Sequence, residues 1–441
     1  MRYVQITKKN KLILLAAAMG CIMLVACLFG ACGDGASSQA DPKQNEGQTG
    51  SVESEEESGG ILPGENDPQM SADETIPQQG GSSEQEGKTP ATESTMSDER
   101  REELLQMLAA KATFTHYKDP FRGTIVGTAF SLNTICTITF YDEKNIPLYQ
   151  GCADILNKYE SMLSRTLKTS EIARLNRREI SVVSDETAEL IEWGLHYCEL
   201  SGGVYDIAIA SASSLWDFTA DVPKVPAAKD IEEAIKWVDY RAVHLDGNKV
   251  TFDNEYTGLD LGSIAKGYIA EKLRSYLVDN GVKSAIISLG GNMIFVGSKP
   301  DGSNYGSGLQ LPFGNSGTEY FAVVRGSNLS IVTSGVYERY FKAPDGTYYH
   351  HILDSSTGYS VKNNIYSVTI IGPNSTDCDA LSTTLFCLGV EEGMKLINSL
   401  DDYYAVFYLE NGQILTSLGL EDAYSYQVSP HEHLTYEAKG R

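Results

Sequence analysis

An α+β fold of mixed sheets with packed helices, in one compact domain over residues 98–441, is predicted by three features of the sequence. Strand-like stretches alternate with helical ones, hairpin signals stand among them, and neither a repeat nor a linker interrupts the chain after residue 110. The 441 residues carry 59 acidic against 35 basic side chains, a net charge of −24. That balance excludes nucleic acid as a partner, because neutralising phosphates takes Lys and Arg. An acidic substrate has to be met locally, by a cation or a few chosen donors.

The elements follow in chain order. Arg2, Lys8, Lys9 and Lys11 precede an apolar run from Leu12 to Gly30, the pattern of a secretory signal over residues 1–32. A run of this length could also just cross a bilayer. Leu24-Val25-Ala26-Cys27 and Leu28-Phe29-Gly30-Ala31-Cys32 decide for the signal, since both resemble a bacterial lipobox, whose cysteine is acylated. Cys27 has the better leucine upstream and Cys32 the better polar exit, so both stand as lipidation candidates. The expected location is the extracytoplasmic face of the cell membrane, held by a lipid anchor.

Residues 33–97 read as a disordered acidic spacer. From Gly33 to Glu99 there are 16 Asp/Glu, two basic residues (Lys43 and Lys88) and no aromatic. Such a segment buries too little apolar area to offset chain entropy, and its like charges extend it. Ser97 to Glu102 reads as the cap and acidic first turn of a short helix through Ala110.

Thr124 to Phe140 is β-branched and roughly alternating, a strand pattern. Pro147–Tyr159 and Ser184–Ser201 read as amphipathic helices, the second with Glu186 and Thr187 in its first turn. Asp246-Gly247-Asn248 between Ala242–Leu245 and Lys249–Phe252 is a hairpin signal. Leu259-Asp260-Leu261 is expected to end a strand. A helix is expected just after Gly262, buried through Ile264, Tyr268, Leu273 and Leu277 and stopped by Gly281. Ser284–Leu289 is a continuous apolar strand that ends at Gly290-Gly291-Asn292.

Cys136, Cys152, Cys198, Cys378 and Cys387 lie in the folded part, an odd number without a C-x-x-C pair. They read as mostly buried thiols, so a cysteine-ligated zinc site is not expected.

Three constellations carry chemistry. In Asp260-Leu-Gly-Ser263-Ile-Ala-Lys266-Gly267-Tyr268, a helix N-terminus points free N–H groups at any anion, and Lys266 adds a cation. Gly267 is unfavourable inside a helix by about 1 kcal/mol against Ala, so something packs closely there. The plain alternative is a capped helix with a surface lysine. Thr333-Ser334-Gly335 and Tyr337 precede Tyr349-His350-His351-Ile352-Leu353-Asp354. His351, beside a strand, suits proton transfer at neutral pH; the alternative is a satisfied core or edge histidine. His431 and His433 read as solvated. Asp379, Ser382 and Thr383, at i, i+3 and i+4, share one helical face. A carboxylate with hydroxyl and carbonyl oxygens fits Mg2+, with phosphate and water completing the shell; an N-cap aspartate is the alternative.

In this order the motifs resemble the ApbE family of FAD:protein FMN transferases, from about Gly127 to Gly389. They are Gly127-Thr128, Ser170 to Asn176, Gly203-Val204-Tyr205-Asp206 with Leu215-Trp216, Leu259 to Tyr268, Ser288 to Asn292, Thr333 to Gly335, His351 to Gly358 and Asp379 to Thr383. The resemblance implies an enzyme outside the cytoplasm that binds FAD and Mg2+. It moves FMN onto a threonine hydroxyl of a separate exported acceptor protein and releases AMP. It further implies that Val204, Tyr205 and Asp206 line the adenosine side, with Asp260, Lys266 and the backbone near Leu353 also touching FAD. Val126 stands where the family often has Met. Ser263, by its hydroxyl or its carbonyl, and Asp379, Ser382 and Thr383 match the metal positions. His351 is the implied base, with Asp379 on the metal, and Tyr205, Tyr337 or Tyr349 is available to stack the isoalloxazine. The competing expectation is a lipoprotein that captures or hydrolyses FAD without transferring it.

Overall fold

The computed structural model describes residues 111–314 and 319–429, with the backbone of 435–438. The leader with Cys27 and Cys32, the spacer, the expected helix through Ala110, and His431 and His433 lie outside the described residues. Among the described residues, no helix is long and apolar enough to cross a membrane.

The chain begins with three antiparallel strands, β1 (Thr115–Lys118), β2 (Ile125–Ser131) and β3 (Thr134–Phe140). Leu132 and Asn133 join β2 to β3 with φ of 55 at both residues, the two positive values that a type I′ hairpin turn requires. Helices α1 (Leu148–Leu163), α2 (Glu171–Asn176) and α3 (Asp185–Leu200) follow, then the predicted hairpin β4 (Val243–Asp246) and β5 (Lys249–Phe252). Ser184 caps α3 by accepting the Thr187 N–H, and Ser170 caps α2 through the Ala173 N–H.

After α4 (Ala265–Asp279) come β6 (Ser284–Leu289) and β7 (Asn292–Gly297), with Gly290 and Gly291 at φ 53 and 98 between them. Next are β8 (Tyr305–Gln310), β9 (Tyr320–Gly326), β10 (Ser330–Gly335), the ribbon β11 (Tyr340–Lys342) and β12 (Tyr348–His350), and β13 (Ile365–Gly372). The chain closes with α5 (Ser375–Ile397), interrupted at Gly389, then β14 (Tyr404–Leu409), β15 (Gln413–Thr416), β16 (Ser425–Val428) and β17 (Thr435–Ala438).

Ten strands form the main sheet in the order β1-β2-β3-β6-β7-β10-β13-β14-β15-β17. Only the last pair is parallel. One face packs against α1, α4 and α5 through Ile138, Leu156, Leu273, Val332 and Phe386. The other packs against a three-stranded sheet, β16-β9-β8, through Phe295, Tyr305, Phe321 and Ile371. Strands thus alternate between two buried faces, which is why most carry few charges. The α+β class with several sheets and packed helices is the one the sequence predicts.

Two local expectations fail. Leu259–Leu261 belongs to no sheet strand: Asn176 takes the Leu259 N–H on its Oδ1 (2.7 Å) and donates Nδ2 to the Leu259 carbonyl (2.8 Å). Beside it, Gly258 forms an isolated bridge with Ile209, and the Asp260 N–H bonds the Ile207 carbonyl at 2.8 Å. The helix starts at Ala265 rather than just after Gly262, because Gly262–Ile264 form a turn whose Ile264 N–H bonds the Leu261 carbonyl. The five cysteines are all free; four are buried and Cys387 is partly so.

Candidate active site

The site is built where α4 crosses the start of α5. Gly267, in the first turn of α4, donates its N–H to Asp379 Oδ2 at 2.8 Å. A Cβ at Gly267 would lie 2.1 Å from the Ser375 carbonyl oxygen and 2.7 Å from Asp379 Cβ, so the glycine is what lets the two helices meet. The expectation of free N–H groups aimed at a ligand is corrected for this donor: the anion it meets is the protein's own carboxylate. Asp379 is 3% exposed. Burial raises its pKa, against the Lys266 charge and the Gly267 N–H.

The first turn of α5 is held from several sides. Asn374 caps it through the Thr376 and Asp377 N–H groups, and Glu271 of α4 accepts the Ser375 N–H at 2.6 Å. Tyr197 donates to Asp377 Oδ1 at 2.6 Å and Tyr403 to Oδ2. Asp379 is therefore not the N-cap; it stands inside a fixed helix.

Hydroxyl oxygens cluster beside it. Ser334 Oγ on β10 lies 2.8 Å from Ser382 Oγ and 3.2 Å from Thr383 Oγ1. Ser382, fully buried, donates to the Asp379 carbonyl at 2.9 Å. On the α4 side, Ser263 Oγ donates to Tyr205 OH at 2.9 Å, and Lys266 Nζ donates to Asn292 Oδ1 at 3.0 Å. Asn292 is fully buried, and its side chain also bonds the Asp379 carboxylate. Asp379, Ser382, Thr383, Ser263 and Lys266, drawn from two distant stretches of sequence, therefore share one corner.

This corner fits a hard cation. It offers one carboxylate and several hydroxyls, all oxygen donors, and among the described residues there is no cluster of three or more His, Cys, Asp or Glu. A single carboxylate with spare oxygens is the kind of site that relies on substrate phosphate and water to complete an octahedral shell.

The other sequence-predicted contacts divide. Val204 and the segment after Leu353 line a common cavity of about 340 Å³ with Gly202, Gly203 and Val361, within the range of small-molecule sites. Ser355 Oγ ties its two walls together by donating to the Gly203 carbonyl at 2.9 Å. Asp260 is engaged by Arg165 Nε at 2.9 Å and Ser213 Oγ at 2.7 Å, both on Oδ2. Asp206 accepts the Ala208 and Tyr240 N–H groups at 2.7 and 2.9 Å, so its carboxylate organises the loop. Tyr205 is 3% exposed with its hydroxyl taken by Ser263, which removes it from the tyrosines available for stacking. Tyr349 already stacks on Phe341, centroids 5.7 Å apart. Val126 is buried in β2, with β3, β6 and β7 between its strand and β10.

His351 follows β12 directly, and its N–H bonds the Arg339 carbonyl at 3.1 Å. Its Nδ1 is buried without a partner. Burial first, then Arg339, His350 and Lys266, push its pKa down to about 3. His350, with Nε2 on the Val361 carbonyl at 3.1 Å, is pushed by burial to about 4. Both rings stay neutral in the folded protein where an unfolded chain, near 6.5, takes up a proton. The unfolded state then binds more protons between about 6.5 and these lowered values, so their contribution to stability is lost as pH falls through that window. Asp206, raised to about 6 by burial, acts in the opposite sense between about 6 and 4. Two histidines outweigh one aspartate, so these groups favour stability at pH 7 over pH 5. His350→Asn is expected to shrink the difference in melting temperature between pH 7 and pH 5; an unchanged difference would show that His350 carries none of it.

Sequence reasoning missed Arg165, Asn292 and Ser334 as parts of the site. Asn292 and Ser334 stood inside motifs already noted, Gly-Gly-Asn and Thr-Ser-Gly. Arg165 had no local signal, since its partner Asp260 is 95 residues away.

The ApbE family profile matches residues 132–407. The FAD:protein FMN transferase of Treponema pallidum (strain Nichols) is 32% identical over 313 residues, covering 66% of this chain and 86% of that protein. The protein of the same name from Klebsiella pneumoniae (strain 342) is 34% identical over 268 residues, 60% of this chain and 82% of that protein. The crystal structure of the ApbE protein from Thermotoga maritima superposes with a TM-score of 0.61 at 28% identity, covering 70% of this chain and 98% of that one. Flavin transferase ApbE from Vibrio cholerae, with a TM-score of 0.59 at 22% identity over 70% of this chain and 99% of that one, shares the fold.

Proposed function

Since the chain belongs to the ApbE family, we propose that it is a FAD:protein FMN transferase that moves the FMN half of FAD onto a threonine hydroxyl of an exported acceptor protein. The observation that carries this reading is the corner in which Asp379 and the hydroxyls of α5 meet the α4 turn bearing Ser263 and Lys266. It offers an oxygen-donor set and a lysine for a diphosphate, and the cavity lined by Val204 and Cys387 is linked to it along the chain, Val204 preceding the Tyr205 that Ser263 bonds and Cys387 lying one turn after Thr383.

In this reading the threonine oxygen attacks the phosphorus of the FMN half. A new P–O bond forms, the bridging P–O bond breaks, and AMP leaves with the bridging oxygen. The threonine proton passes to His351, whose ring is neutral at pH 7 and whose Nδ1 has no other partner among the described residues. Lys266, fixed by Asn292, sets a positive charge beside the diphosphate. Asp379 and Thr383, with an oxygen of Ser263, would hold Mg2+, which would supply further positive charge to the phosphate oxygens. The cavity next to Val204 and Leu353 takes the adenosine side. The leader and acidic spacer are read as a lipid anchor and tether that hold the enzyme on the extracytoplasmic face; the sequence pattern alone supports this.

The test incubates the protein with FAD, Mg2+ and a threonine-bearing acceptor. Covalent flavin fluorescence on the acceptor, with AMP released in equal amount, is expected. His351→Ala is expected to bind FAD normally and to label the acceptor more slowly by about 10²-fold or more. Normal labelling by that variant removes the base assignment, and AMP release without labelling makes the protein a hydrolase.

A further inference from the structure

Three hydroxyls and a carbonyl form a single hydrogen-bonded chain from β10 into α5: Thr383 Oγ1 to Ser334 Oγ at 3.2 Å, Ser334 Oγ to Ser382 Oγ at 2.8 Å, and Ser382 Oγ to the Asp379 carbonyl at 2.9 Å. Each hydroxyl has one proton to give. A carbonyl only accepts, so Ser382 donates to Asp379. With its proton committed, Ser382 accepts from Ser334. Ser334 has then no proton left for Thr383, and Thr383 donates to Ser334. The polarity of the whole chain is fixed by its buried end.

The consequence lies at the other end. Thr383 gives its proton to Ser334, so its lone pairs are left free by the chain, one helical turn after Asp379. Without Ser334, the Thr383 hydroxyl would have the Asp379 carbonyl, four residues earlier on the same helix, as its nearest acceptor, a back-bond common for threonine in helices. Ser382 is different: it is fully buried and both donates and accepts within the chain. We infer that Ser334 is a positioning residue for the divalent-cation site, accepting the Thr383 proton so that Thr383 presents its oxygen as a ligand beside Asp379, while Ser382 serves as an internal link rather than a ligand. This rests on the reading of Asp379 and Thr383 as cation ligands given above.

The test measures Mn2+ binding to the protein without FAD, by the loss of the free-ion paramagnetic resonance signal. Ser334→Ala is expected to raise the Mn2+ dissociation constant about 10-fold, as loss of an outer partner of a metal ligand does. Thr383→Val should do the same or more. The double variant should be no weaker than Thr383→Val alone, because Ser334 acts through Thr383. Ser334→Thr keeps a hydroxyl and should bind Mn2+ like the unaltered protein, which also guards against misfolding of the alanine variant. Fully additive losses, or unchanged binding in Ser334→Ala while Thr383→Val and Asp379→Asn bind weakly, overturn the inference about Ser334 alone. Unchanged binding in both Asp379→Asn and Thr383→Val overturns the cation reading beneath it.

Discussion

Asp379→Asn is expected to abolish cation-dependent flavin transfer while leaving the protein as stable as before, or more so. The carboxylate is almost fully buried, and its contacts are the Gly267 and Lys266 backbone N–H groups, the Asn292 side chain and the field of a lysine rather than an ion pair. Burying an anion in this way is unfavourable, and the raised pKa records it. An asparagine keeps the shape, can still accept the Gly267 N–H through its Oδ1, and removes the buried charge. The fold weakens its charged hydrogen bonds but sheds the larger desolvation penalty of the buried anion. The reaction loses its one carboxylate ligand. A metal that stabilises developing phosphate charge is worth several kcal/mol, so transfer should fall by roughly 10³-fold. Melting temperature and labelling rate, measured side by side, decide the matter. If both decline in proportion, Asp379 is a structural residue and the site lies elsewhere.

What the sequence made legible was local. The α3 start at Ser184, the β4–β5 hairpin and the β6 strand each depend on residues within a few positions of one another, and each was found within one or two residues of its predicted bounds. The shared face of Asp379, Ser382 and Thr383 was legible for the same reason, because helical spacing alone puts them together. Leu259–Leu261 misled because its alternation is that of a strand, while it is held by the side chain of Asn176 on Leu259 and by an isolated backbone bridge to residues 207–210 instead of by a sheet. The sheet order was not legible at all. β3 pairs with β6 across helices α1 to α4 and a hairpin, and nothing in either strand names the other. Asp260 shows the same limit at the level of one side chain: its motif marks it as polar and near the site, but only the fold reveals that Arg165 and Ser213 hold it.

Gly267→Ala is expected to destabilise the protein by about 3 kcal/mol or more, although the same change on an exposed helix stabilises by about 1 kcal/mol. The sign reverses because of what stands opposite. The new methyl carbon would sit 2.1 Å from the Ser375 carbonyl oxygen, well inside contact distance, and that oxygen belongs to backbone that cannot rotate away. The neighbouring turn is itself pinned by Asn374, by Glu271 on the Ser375 N–H and by two tyrosines on Asp377. The strain must therefore part α4 from α5, with an overpacking penalty of about 1–3 kcal/mol. Parting them also breaks the Gly267 N–H bond to Asp379 and leaves a buried carboxylate short of a donor, another 1.5–3 kcal/mol or so for a charged hydrogen bond. Urea unfolding gives the stability, and Mn2+ binding by the folded fraction gives the site. Both should deteriorate together, because one contact holds the helices and aims the carboxylate. A variant that unfolds like the unaltered protein and binds Mn2+ as tightly would show that the helices have room the structure does not contain.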